Sequence, residues 1–249
     1  MLKFYLAITN NCNRACKFCS MYSRPGLKSF MSLDWIKVKF DAIDKPFEVQ
    51  LEGGEPTIHP EYNDILRYFD LHPMCMTIII TTNGTTLPAS YNELDVYFRS
   101  GPIITPLIFK VSVNEYLLSR DENLFAKCEN LKMFFDPNFQ QPFPLRRQEN
   151  LKRFLDPDVM QTLILNVRLR RGVRNDDAWI VDELKKRELF GCSNVFYWQR
   201  YGFASDMEEY EPPFIVENPV DFHLYSPDCI DFGQDLIARS KHMKTLLGA

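Results

Sequence analysis

Three cysteines, Cys12, Cys16 and Cys19, stand in the order CxxxCxxC (Cys12-Asn-Arg-Ala-Cys16-Lys-Phe-Cys19), just after a short apolar run at Phe4 to Ile8. A [4Fe–4S] cluster is normally held by four thiolates, so three on one tight loop leave the fourth corner without a protein ligand. One iron is then open to a small molecule. Structural zinc closes its tetrahedron with paired CxxC or Cys/His ligands, and no second pair or nearby histidine stands here. A thioredoxin-like dithiol needs only CxxC and leaves Cys12 without a purpose.

The remaining chemistry-bearing residues recur where strand-like runs end. Such runs, rich in apolar, β-branched and aromatic residues, lie at about 4 to 8, 48 to 52, 77 to 82, 108 to 113, 162 to 170 and 194 to 201. Gly53-Gly54-Glu55-Pro56 follows the second run, Thr82-Asn83-Gly84 ends the third, and Ser112-Val113-Asn114 closes the fourth. On the fifth, a side-chain period of two puts Leu163, Leu165, Val167 and Leu169 on one face and Asn166, Arg168 and Arg170 on the other. The same alternation sets Phe109, Val111 and Val113 against Lys110, Ser112 and Asn114. Polar side chains on the inner face of adjacent strands are costly in a plain core and suit a ligand cavity. Taken singly, Gly-Gly and Asn-Gly are ordinary turn dipeptides, and Ser112 and Asn114 can be satisfied by local backbone. Taken together, they collect at one rim.

Between the strands lie helical stripes: Leu33, Ile36, Phe40 and Ile43, then Tyr62, Ile65, Leu66 and Phe69, then Leu124, Cys128, Leu131 and Phe135, then Ile180 and Leu184. Tyr91 to Phe98 is a weaker stripe. Alternating strands and helices predict a parallel sheet covered by helices, with sites at the carboxyl ends of the strands. Six strands are too few for an eight-stranded barrel, which leaves an open, partial barrel or a doubly wound sheet. Residues 115–161 exceed a single crossover and read as an insertion, with a short helix at Leu145 to Leu155. Residues 206–249 begin acidic and proline-marked, end in an expected helix at Ile230 to Leu247, and read as a C-terminal extension packed on a domain of residues 1–205.

Composition narrows the class. The 249 residues are 45% hydrophobic, enough for a sizeable core, and the net charge of -4 offers no footprint for nucleic acid. No apolar run reaches the roughly 20 residues that cross a bilayer. Seven cysteines, three of them on one loop, do not read as a secreted disulfide framework. The expectation is a cytoplasmic protein without a membrane or nucleic-acid partner.

At the proposed rim an open iron can chelate the amine and carboxylate of an amino-acid-like ligand. Gly53 and Gly54 would let backbone approach its ammonium, Ser112 and Asn114 would meet ribose hydroxyls, and Arg168 or Arg170 would pair with a carboxylate. S-adenosylmethionine presents all of these groups.

CxxxCxxC with an aromatic residue before its last cysteine (Phe18), followed one βα unit later by GGEP, resembles the radical S-adenosylmethionine (radical SAM) superfamily over roughly residues 3 to 205. The resemblance implies a partial (β/α)6 barrel whose [4Fe–4S] cluster, on Cys12, Cys16 and Cys19, binds S-adenosylmethionine. One-electron reduction would then release a 5′-deoxyadenosyl radical that takes hydrogen from substrate. It implies cofactor contacts at Phe18, Gly53, Gly54, Glu55, Asn83, Ser112, Asn114, Arg168 and Arg170, and an electron donor such as flavodoxin or ferredoxin. Residues 206–249 hold only Cys229, so the cysteine-rich C-terminal domain of many peptide-modifying members is not expected there. Three functions stay open: a radical enzyme for a small or peptide-like substrate, with Lys110, Arg168, Arg170 and Arg200 favouring an anionic one; an activase of a glycyl-radical enzyme; and a non-catalytic iron–sulfur or zinc module.

Overall fold

The computed structural model describes residues 2–16, 19, 23–90, 103–135, 161–170, 178–198 and 222–225. Six strands, β1 (Leu2–Thr9), β2 (Phe47–Gly53), β3 (Cys75–Thr82), β4 (Leu107–Val113), β5 (Gln161–Arg170) and β6 (Ser193–Trp198), pair in sequence order and are all parallel. The helices between them are α1 (Leu33–Phe40), α2 (Tyr62–Leu71), α3 (Glu115–Leu118), α4 (Leu124–Phe134) and α5 (Ala178–Lys186). The result is the open α/β sheet of a partial (β/α)6 barrel.

A seventh strand, β7 (Phe222–Tyr225), pairs in parallel with β1, so the sheet order is β6-β5-β4-β3-β2-β1-β7. Part of the segment expected as an extension thus adds to the sheet's edge. The helices expected at 91–98, 145–155 and 230–247 lie outside the described residues. Of the expected insertion, the described part is α3 and α4.

The core forms because each strand sends alternate side chains to the helix layer. Phe4, Leu6 and Ile8 of β1, Phe47, Val49 and Leu51 of β2, Ile78 and Ile80 of β3, Phe109, Val111 and Val113 of β4, and Leu163, Leu165, Val167 and Leu169 of β5 are all buried in one cluster. Ile36 and Phe40 of α1, Ile65, Leu66 and Phe69 of α2, and Leu124, Cys128 and Leu131 of α4 meet them. Phe4, Phe40, Phe47 and Phe69 pack edge-on or tilted at 4.9–6.3 Å between ring centres, each pair adding about 0.5–1.5 kcal/mol beyond its buried area. The helix starts are fixed locally. Ser32 caps α1 by accepting from the Trp35 amide, and Glu61, beside α2, accepts from the Leu33 amide.

Candidate active site

The opposite face of the sheet is polar. Lys3 of β1 pairs with Glu48 of β2. Deeper in, Lys110 donates to Gln50 Oε1 (3.2 Å), and Gln50 donates onward to Glu52 (3.1 Å) and Thr81 (3.0 Å). Burial pushes the Lys110 pKa down, Lys3 adds to that, and Glu48 and Glu52 oppose it. Lys110 and its polar neighbours lie below the rim where the cysteine loop begins.

That loop leaves β1 and is pinned where it returns. Met31 N donates to Ile8 O (2.8 Å), Thr9 Oγ1 donates to Ser29 O (3.0 Å), and Asn10 Oδ1 accepts from Ser29 N (3.0 Å). Backbone bridges join Thr9 to Phe30 and Asn11 to Arg24. The cysteines therefore sit on a loop closed at its base. Cys12 is buried, with Cys16 and Cys19 half-buried.

The thiols fit a metal cluster chemically. Burial is the main cause that pushes Cys12 up to about 11 and Cys16 up to about 12, and their mutual repulsion with Cys19 adds to it. Such thiols stay protonated alone and become thiolates when a bound cation supplies the compensating charge. Cys12 Sγ already accepts two N–H groups, from the Arg14 amide (3.4 Å) and Asn83 Nδ2 (3.6 Å). Among the described residues the buried Arg14 Nε has no hydrogen-bond partner, and the Arg14 cation favours the Cys16 thiolate, as Arg120 does. Among the described residues no three His, Cys, Asp or Glu side chains converge as a single-ion site. The donor set of three sulfurs, N–H donors to sulfur and nearby guanidinium groups suits an iron–sulfur cluster.

Gly53 and Gly54 pack against the root of the cysteine loop. Gly53 has φ +125°, and a Cβ on it would lie 2.2 Å from Thr9 O; one on Gly54 would lie 2.0 Å from Asn11 O. Gly54 N donates to Thr9 O (2.7 Å) and Glu55 N to Asn11 O (2.9 Å). The missing side chains let the β2 loop lie flat against the root of the cysteine loop. Those two amides are taken by protein.

Glu55 is fully buried. Its Oε1 accepts from Thr57 Oγ1 (2.5 Å), Thr82 Oγ1 (2.7 Å) and Thr57 N (3.3 Å), and its Oε2 accepts from Asn83 N (2.7 Å). Burial raises its pKa while the Thr57, Asn83 and Thr82 donors pull it back, with a net upward shift. Glu55 thus fastens the β2 loop to the β3 loop. Asn83, expected as a cofactor contact, reaches the cysteine loop: its Nδ2 donates to Asn13 Oδ1 (2.9 Å) as well as to Cys12. From the far side Lys127 of α4 donates to Thr85 O (2.8 Å) and pairs with Asp121 (2.8 Å).

On β4 and β5 the placement is simpler. Ser112 is half-buried and stands in register with Asn166. Asn114 is buried and caps α3, its Oδ1 accepting from Leu117 N (2.9 Å), so the local backbone role open to it from sequence is the one observed. Arg168 and Arg170 occupy the end of β5, in register with Phe196 and Trp198. Phe18 and Arg200 lie outside the described residues. Sequence reasoning missed Arg14, Asn13, Thr57, Thr85 and Lys127. The density of Thr and Asn in Thr81-Thr82-Asn83-Gly84-Thr85-Thr86 was the signal that could have found Thr85.

A family profile described as the Radical SAM superfamily matches residues 6–113, the stretch from β1 to β4 that carries the cysteine loop, the GGE loop and Asn83. GTP 3′,8-cyclase of Yersinia pestis is 35% identical over 96 residues, covering 34% of this chain and 28% of that enzyme. GTP 3′,8-cyclase of Photorhabdus laumondii is 36% identical over 89 residues, covering 33% and 27%. The matched stretch thus spans little more than a quarter of those relatives. The structure of Streptococcus suis SuiB bound to S-adenosylmethionine overlays 79% of this chain and 46% of that one, at 13% identity and a TM-score of 0.41. A [4Fe–4S] cluster and S-adenosylmethionine are the cofactor pair of the matched family. The three-cysteine loop, the glycine-backed rim and the open parallel sheet from the latter half of β1 to the end of β4 all fall within residues 6–113, the stretch that is similar to the radical SAM superfamily.

Proposed function

We propose that the protein is a radical SAM enzyme acting on an anionic small molecule held over the polar face of the sheet. The cluster and S-adenosylmethionine would supply, on one-electron reduction, a 5′-deoxyadenosyl radical able to abstract hydrogen. Cys12, Cys16 and Cys19 would hold the cluster. Gly53, Gly54, Glu55 and Asn83 would shape the rim around it, and Ser112 with Arg168 or Arg170 would contact S-adenosylmethionine.

The observation that carries the substrate class is Lys110. It is a largely buried amine on the inner face, donating to the neutral Gln50 and, among the described residues, not directly paired with a carboxylate. An anionic group entering the sheet's mouth would give it a charge-assisted partner. GTP, named for the relatives, is an anionic small molecule and is the first probe. A carboxylated peptide is the second, and a protein partner, as an activase would need, is a third reading without a specific observation in its favour.

The test is anaerobic turnover with S-adenosylmethionine and reductant, following 5′-deoxyadenosine with each probe. An anionic substrate should stimulate its release, and Lys110→Met should raise KM about tenfold with kcat less affected, the pattern of lost binding that is uniform between ground and transition states. An unchanged KM for Lys110→Met would overturn the substrate assignment.

A further inference from the structure

Among the described residues, Asn83 is the side chain of the β3 loop that reaches Cys12, and its amide is fully committed. Oδ1 accepts from Thr85 N (3.0 Å) and Thr85 Oγ1 (2.5 Å), while Nδ2 donates to Asn13 Oδ1 (2.9 Å) and Cys12 Sγ (3.6 Å). An amide has two donor hydrogens and two acceptor lone pairs, and all four are used. The orientation is therefore fixed by the network: rotating the amide would set its oxygen against a thiolate and its NH2 against the Thr85 donors. The backbone is held as well, by Asn83 N donating to Glu55 Oε2 (2.7 Å), and the next turn is braced through Gly84 N to Thr82 Oγ1 (3.0 Å).

The geometry points to Asn83 as the residue that raises the reduction potential of a cluster bound at Cys12, Cys16 and Cys19, by donating a hydrogen bond to Cys12 Sγ. This rests on the cluster reading above. Hydrogen bonds to cluster sulfurs are among the levers that set such potentials, because they withdraw electron density from the thiolate and favour the electron-rich reduced form. The tuned step is the gain of one electron from an external low-potential donor, with no bond made or broken. Asn83 is a positioning residue acting through Cys12, and Thr85 and Glu55 hold it in place.

The test is a redox titration of the reconstituted holoprotein, followed by the paramagnetic signal of the reduced cluster, with iron content measured for every variant. Asn83→Ala should hold the same iron and shift the reduction equilibrium about tenfold toward the oxidised form, ~59 mV more negative for one electron. Asn83→Asp, which puts a negative oxygen beside the sulfur, should shift it further in the same direction. Thr85→Val keeps the amide but loses one group that orients it, and should give a smaller negative shift. A merely structural role for Asn83 would change iron content or thermal stability without moving the potential of the clusters that remain. Full iron with an unchanged potential in Asn83→Ala overturns the inference. If Asn83→Ala fails to take up iron, Thr85→Val decides, and an unchanged potential there overturns it. A wild-type protein that holds no cluster would instead bring down the functional reading itself.

Discussion

Two buried carboxylates sit at opposite ends of the sheet and make nearly the same bonds. At the carboxyl ends of the strands, Glu55 takes four hydrogen bonds from Thr57, Thr82 and Asn83. At the amino ends, Asp70, 3% exposed, accepts from Ile104 N (2.7 Å), Thr105 N (3.0 Å) and Arg67 Nη1 (2.7 Å), and so staples the segment entering β4 to the end of α2. Burial and saturation are common to both, so neither property marks a functional residue. What separates them is address. Glu55 braces the loop whose next member, Asn83, touches Cys12, whereas Asp70 braces a connection remote from the cysteine loop.

The largest expected effect separates the pair outright. Glu55→Ala and Asp70→Ala should each cost at least about 3 kcal/mol of folding stability, since each strands several buried donors at about 1–3 kcal/mol apiece. Only Glu55→Ala should also lower the iron retained per folded chain, measured after anaerobic reconstitution. Equal iron in the two variants would erase the distinction. A smaller effect is expected at Gly54→Ala, whose Cβ would meet Asn11 O at 2.0 Å. The forced shift should cost about 1–3 kcal/mol, as overpacking does, and loosen the cysteine loop, visible as faster hydrogen exchange at the Thr9 to Cys12 amides. The smallest effect is in pH. Burial lifts the Glu55 pKa in the folded state, so the folded chain holds that proton to higher pH than the unfolded chain. Glu55 therefore lowers stability as pH rises from its ordinary value near 4.5 through its raised folded value, and Glu55→Gln should flatten that limb of a denaturation series. A limb as steep in Glu55→Gln as in the wild type would assign it to another group.

The sheet was legible because its signals are periodic and local. The alternation of Leu163, Leu165, Val167 and Leu169 gave β5 its face, and the three-and-four spacing of Tyr62, Ile65, Leu66 and Phe69 gave α2. The cysteine spacing singled out the loop that leaves β1. Side-chain work at the rim was harder to read. Asn83 and Cys12 are 71 residues apart and meet through the fold, so neither neighbourhood advertises the bond. The close packing of Gly53 and Gly54 on Thr9 and Asn11 could not be read from a Gly-Gly pair, which is an ordinary turn dipeptide. β7 escaped notice because it spans only Phe222–Tyr225, and four residues leave little pattern.

The central claim is that three cysteines hold a cluster with one open iron that splits S-adenosylmethionine. The direct measurement compares wild type with Cys16→Ala after anaerobic reconstitution, quantifying iron and the 5′-deoxyadenosine released on reduction. The wild type should carry the cluster and release the nucleoside, and Cys16→Ala should do neither. Full iron and undiminished 5′-deoxyadenosine in Cys16→Ala would contradict the account.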